Sequence, residues 1–203
     1  MSLHPAFQSY LDQLNPLVAQ AARDGIVATP ESARAALAGL SVFELPKAPV
    51  AEVFDRCADG AEPVPVRVYV PRRGVASDVI VFVHGGGHMA GDLDVYDASA
   101  RRTAAATGMV VVSVDYRRSP EAPFPAGLTD TYRALHHLSD ALDGVATTGR
   151  VHGVADSGGA AKLASIAMRT AEGQWTSPIE RQVLIDPSLD YTMRGDSMRE
   201  FGT

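Results

Sequence analysis

Val79-Ile80-Val81-Phe82-Val83-His84-Gly85-Gly86-Gly87 is the stretch on which the reading of the whole chain turns. Five apolar residues bounded by turn formers describe a buried strand. The strand runs into three consecutive glycines, whose N–H groups are unshielded and whose backbone is free to take positive φ. Such N–H groups can be aimed at the negative oxygen that develops when an acyl carbon is attacked. Further along, Ala155-Asp156-Ser157-Gly158-Gly159 offers the matching nucleophile. Ser157 falls between a predicted strand and a predicted helix, in a sequence close to G-x-S-x-G with Ala155 in place of the first glycine. Small residues on both flanks permit the sharp, strained turn that lifts a serine oxygen clear of the backbone and sets the next N–H, that of Gly158, beside the oxyanion. Either loop alone is common at strand ends; the two together specify an acyl-transfer site.

Outward from these loops the chain alternates. Strand 78–83 leads to a helix near 97–107, and strand 109–114 leads through a loop at 117–126 to a helix near 127–142. Strand 150–155 then leads through Ser157 to a helix near 159–172, with strand 181–185 after it. Repeated strand–helix units predict a mostly parallel sheet covered by helices on both faces. Upstream, 50–56 and 64–70 alternate as strands about a turn-rich link at 59–63, which predicts a hairpin. Before them, Phe7, Tyr10, Leu11, Leu14 and Leu17 recur at helical spacing interrupted by Pro16. A second helix starts at Thr29-Pro30, with Thr29 as its cap. The expected division is a helical cap segment over residues 1–45, serving as a lid, and an α/β core over 46–203.

Composition narrows the function classes. A chain of 203 residues with 46% hydrophobic content can bury one substantial core. A formal charge of −6 argues against nucleic acid or an anionic membrane as partner. Cys57 is the single cysteine, so no internal disulfide is expected and no oxidising compartment is needed. With no leader-like start and no apolar run of membrane-spanning length, the expected location is the cytoplasm. His136 and His137 are adjacent on a predicted helix and cannot share a face, so no metal site is expected, and no cofactor. Gly86 to Gly91 has the spacing of a phosphate loop, but Asp92 stands where the lysine belongs and would repel phosphate.

Three blocks resemble the hormone-sensitive-lipase-like branch of the α/β-hydrolases. They are His84-Gly85-Gly86-Gly87 with Gly91-Asp92, the run Asp115-Tyr116-Arg117-Arg118-Ser119-Pro120-Glu121-Ala122-Pro123-Phe124-Pro125-Ala126, and the Ser157 turn. The resemblance implies a carboxylesterase or lipase-like serine hydrolase acting on small-molecule esters, with an α/β-hydrolase sheet and an N-terminal helical cap. It makes Ser157 the nucleophile and Gly86, Gly87 and Gly158 the oxyanion-hole donors, with Gly85 shaping the loop. It makes Asp115, Tyr116 and the 121–126 segment a structural loop beside the site. Prolines 120, 123 and 125 stiffen that loop on physical grounds too.

The chain departs from the family pattern in three places. After Ser157 it reads Gly158-Gly159-Ala160-Ala161-Lys162-Leu163-Ala164, one residue longer than the family's usual run. His88 replaces a large aromatic and is the one histidine expected to face the pocket. In the family the catalytic acid and histidine follow two further strands, and no histidine follows Ser157 here. The base is therefore expected from a portion lacking in these residues. Asp186 and Asp190 read as turn residues, and His84 as a brace for the glycine loop. Two other readings compete with the hydrolase: a ligand-binding protein, since the plant gibberellin receptors resemble this family without a working triad, and a fragment with no function of its own. Without the family's last strands, 181–185 becomes a sheet edge whose Val183, Leu184 and Ile185 read as interior. Such an edge predicts self-association or pairing with the missing segment.

Overall fold

The computed structural model describes residues 4–27, 29–40, 46–58, 60–192 and 194–201. The expected boundary at 45/46 and Asp59 of the hairpin link lie outside these residues.

Two helices come first. In α1 (Pro5–Arg23) Pro16 sits inside a helix that continues past it. Proline withholds a hydrogen bond from the Asp12 carbonyl, and both residues are exposed, so water can take its place. Helix α2 (Pro30–Gly39) begins as its sequence dictates: Thr29 accepts from the Ser32 N–H and Ser32 Oγ accepts from the Thr29 N–H, closing a reciprocal cap before Pro30.

The sheet has six strands in the order β1-β2-β4-β3-β5-β6. Strands β1 (Glu52–Ala58) and β2 (Val64–Val70) form the antiparallel hairpin, and β2 continues antiparallel onto β4 (Val110–Val114). From β4 through β3 (Ser77–Val83) and β5 (Thr147–Asp156) to β6 (Ile179–Ile185) all pairing is parallel. Side-chain alternation along the strands splits the core in two. Val79, Val81 and Val83 face a layer that also buries Leu128, Leu135, Leu163 and Ile166. Ile80, Phe82 and Tyr69 face Ala100 and Ala104 on the other side. The first layer is built from α4 (Ala126–His136), α5 (Leu138–Ala141) and α6 (Ser157–Ala171), the second from α3 (Asp97–Thr107). A short α7 (Asp196–Phe201) follows β6.

One expectation is corrected and one is met. The single helix near 127–142 is two, because His137 leaves helical geometry at φ −113°, ψ 24° and joins α4 to α5. Strand β6 is the expected sheet edge, and its apolar end is uncovered: Val183 is 58% and Ile185 52% exposed. Among the described residues β6 pairs on one side only, and α6 reaches it from one face, where Ile179 and Leu184 pack against the core. No described helix covers the other face.

Candidate active site

Parallel pairing of β3 with β5 sets Val83 opposite Ala155. That register brings the two sequence-predicted loops together at the carboxyl ends of adjacent strands, where open α/β sheets hold their ligands.

The glycine loop is built on a buried histidine. His84 Nδ1 lies 2.8 Å from the Gly85 carbonyl, and its ring is stacked between Tyr96 and Tyr116. Tyr116 also donates to the His84 carbonyl at 2.8 Å. Burial pulls the imidazole down to about 4, so at neutral pH it is an uncharged brace. Beyond it Gly86, Gly87 and His88 all take positive φ, at 111°, 60° and 65°. Gly86 has no alternative residue, since a Cβ there would stand 2.2 Å from the Ala90 carbonyl oxygen. The turn closes when the Met89 and Ala90 N–H groups donate to the Gly86 carbonyl. Among the described residues, nothing accepts from the N–H of Gly86 or Gly87.

The opposing turn is equally constrained. Asp156 is extended, and Ser157, the first residue of α6, takes φ 46°, a conformation rare for a residue with a side chain. Strained backbone of this kind concentrates at functional sites. The Gly158 N–H lies in the first turn of α6, where N–H groups have no partner within the helix. Gly159 lets α6 press against β3: a Cβ there would sit 2.1 Å from the Val83 carbonyl oxygen.

Asp156 fastens the two turns together. Its Oδ1 accepts the Gly85 N–H at 2.8 Å and its Oδ2 accepts the Tyr96 hydroxyl at 3.0 Å. Burial pushes this carboxyl up while the two hydrogen bonds pull it down. The Gly85 N–H is thereby engaged, so Gly85 tethers and shapes the loop rather than facing a ligand.

His88, whose ring lies 3.2 Å from where a Cβ on Gly158 would stand, lines a cavity of about 420 Å³ together with Ala161, Lys162, Phe124, Leu128 and Tyr191. Its Nδ1 is 2.9 Å from Lys162 Nζ and its Nε2 2.8 Å from the Tyr191 hydroxyl. Burial, then the Lys162 charge, lowers the His88 pKa. Lys162 itself is only 5% exposed, with Nζ 3.8 Å above the Tyr116 ring centre, and desolvation brings it down to about 8.

The remaining candidates fall into structural places. Arg117 pairs with Asp130, and Arg34 of α2 binds the Met89 and Ser119 carbonyls and Glu121, so the 115–126 loop is held from both sides. Asp92 accepts the N–H groups of Asp94 and Val95, and Asp190 that of Thr192, both as turn residues. His136 bonds Thr176 and His137 pairs with Asp140, on separate partners. Among the described residues, no three His, Cys, Asp or Glu side chains converge on a common point that could hold a metal. No described helix is long and apolar enough to cross a membrane.

Sequence reasoning missed Asp156, Tyr96, Tyr191 and Lys162. Only Lys162 left a signal: it follows Gly159 by three positions and precedes Ile166 by four, on the helix face that the apolar residues bury.

An α/β sheet with a strained serine turn facing a glycine loop defines a hydrolase-type scaffold. Residues 80–203 match the family described as alpha/beta hydrolase fold, and the chain belongs to that family. Among curated relatives it is 36% identical over 165 residues to esterase LipI of Mycobacterium tuberculosis, covering 77% of this chain and 51% of that protein. It is 38% identical over 146 residues to carboxylic ester hydrolase LipN of the same organism, covering 68% of this chain and 38% of the other. Among solved structures, an esterase from the archaeon Pyrobaculum calidifontis superposes with a TM-score of 0.76 at 31% identity, covering 97% of this chain and 61% of its own. The chain thus spans about half or less of the length of these curated relatives.

Proposed function

We propose that this chain carries the nucleophile and the oxyanion hole of a carboxylic-ester hydrolase acting on small-molecule esters. The observation behind this reading is the juxtaposition of Ser157 at φ 46° with a loop whose Gly86 and Gly87 N–H groups find no acceptor among the described residues, held in place by the Asp156–Gly85 hydrogen bond. Ser157 Oγ attacks the acyl carbon and its proton passes to a base. The N–H groups of Gly86, Gly87 and Gly158 take the oxyanion, each such donor contributing roughly 3 kcal/mol in comparable sites. Collapse expels the alcohol, and water releases the acid from the acyl-serine. The base is proposed to lie outside these 203 residues, as in the family pattern. Residues 1–45 are proposed as a cap segment, which the contacts of Arg34 with Met89, Ser119 and Glu121 support for α2. The outer edge of β6 is proposed to receive a strand from a second copy or from the rest of the protein.

A second reading, ligand binding without turnover, draws on His88. It is the one histidine lining the cavity, and both its ring nitrogens are already engaged. A fluorophosphonate probe separates the two. The hydrolase reading expects one adduct, on Ser157, once added imidazole supplies the base that these residues lack, found by mass spectrometry and absent from Ser157→Ala. It also expects hydrolysis of p-nitrophenyl butyrate barely above buffer, because loss of the base costs on the order of a million-fold in triad enzymes. Absence of the adduct, or its appearance elsewhere, overturns the hydrolase reading. Robust Ser157-dependent turnover places the base within this chain.

A further inference from the structure

The cavity lined by His88 and Lys162 contains a cation with no counter-ion among the described residues. Lys162 is among the most buried polar side chains of the protein, yet no described carboxylate pairs with it. Its ammonium meets the His88 ring at 2.9 Å, the Gly158 carbonyl at a long 3.4 Å and the face of Tyr116 at 3.8 Å. All three partners are uncharged. The other cation in the wall, Arg117, is already neutralised by Asp130 and Glu62. No aspartate or glutamate lines the cavity among the described residues, in a chain whose net charge is −6. A buried charge is ordinarily paired or else avoided, and this one opens onto space of about 420 Å³.

We infer that Lys162, with His88 and Tyr191 beside it, forms a subsite for a carboxylate, so that the preferred ligands are esters bearing a second, free carboxyl group. The binding site stands on the cavity alone; only the word "ester" rests on the function proposed above. The geometry limits the ligand further. Lys162 Nζ lies within 3.4 Å of the carbonyl of Gly158, the residue that follows the serine. An acid that reaches Nζ while its ester carbonyl sits at Ser157 therefore has a short chain between the two groups, as in half-esters of succinic or glutaric acid. Phe124 and Leu128 supply the apolar wall against which that chain lies. The carboxylate gives the ammonium the anion it lacks, and binding then favours the protonated lysine.

Calorimetry on the Ser157→Ala protein tests this without any turnover. Monomethyl succinate is expected to bind at least tenfold more tightly than dimethyl succinate, which has the same skeleton without the charge. Butyrate, which lacks the ester, is expected to bind more weakly than the half-ester. At pH 8.5 the half-ester should draw a fraction of a proton from buffer, read by repeating the titration in buffers of different ionisation enthalpy. Lys162→Met should abolish both the preference and the proton uptake, while Lys162→Arg keeps the preference. Equal affinity for the charged and neutral esters, or a preference that survives in Lys162→Met, overturns the subsite. Equal binding of butyrate and the half-ester overturns the assignment to esters. The proton uptake of the Ser157→Ala protein, which keeps Lys162, needs no core substitution, so a misfolded Lys162 variant does not rescue the proposal: its absence also overturns it. Half-ester binding without a Ser157 phosphonate adduct leaves the subsite standing and removes the hydrolase.

Discussion

The carboxyl ends of β3 and β5 and the outer strand β6 are made from similar apolar residues and meet opposite fates. Val83, His84 and Ala155 are fully buried, whereas Val183 and Ile185 stand more than half exposed. The difference lies in neighbours. Strand β3 has β4 on one side and β5 on the other, while among the described residues β6 has only β5. Hydrophobicity says what a residue would gain by burial, and topology says whether anything arrives to bury it. The strained turns of the proposed site sit where the neighbours are complete, because such turns persist only when their surroundings over-determine them.

The contrast breaks most visibly at Gly159. Gly159→Ala drives a methyl group into the Val83 carbonyl, and we expect a loss of about 4 kcal/mol or insolubility, read by urea unfolding. A loss under about 1 kcal/mol would show that the α6–β3 contact is soft and that the two regions differ less than argued.

Next comes the buried lysine. Its folded pKa of about 8 lies below the unfolded value of 10.5, so between them the unfolded chain holds the extra proton and stability rises with pH. Lys162→Met lacks this dependence. Relative to wild type it should be most favoured below pH 8, with the gap closing by about 3 kcal/mol as pH rises to 10.5. Parallel pH profiles would mean that Lys162 is solvated in solution.

Asp156→Ala removes the acceptor of two hydrogen bonds across the paired turns and should cost about 2 kcal/mol. Faster amide exchange at Gly85 would accompany it; an unchanged rate would show that the loop holds itself. The smallest effect belongs to the edge. Val183→Lys with Ile185→Lys should change stability by no more than about 0.5 kcal/mol per site, yet lower self-association in light scattering. A protein that scatters as a monomer before and after the change would show that β6 recruits nothing.

Much of the site was legible because its constraints are local. Three glycines after a strand, and a serine between small residues, announce their backbone without reference to the rest of the chain. The parallel sheet followed from the alternation of strands and helices, and the Thr29 cap from its own four residues. What escaped depends on distant partners. The break at His137 interrupts a run of acceptable helix formers. Tyr96 and Tyr116 enclose His84 from separate loops, and nothing near either tyrosine names the histidine. Nothing within the serine turn marks Asp156, because its partners, Gly85 and Tyr96, lie 71 and 60 residues away.

That carboxylate also makes two remote positions change as one. A methyl group at Gly85 would stand 2.3 Å from Asp156 Oδ2, so an alanine there collides with the group that holds the loop. Shortening Asp156 to alanine relieves the collision and loses the tether. The damage from the two substitutions should therefore fall short of their sum, and related sequences able to replace Gly85 should be those that have already given up the aspartate. A turn and a loop far apart in the chain thus form a single unit of inheritance, with the permitted order of substitution set by one carboxylate.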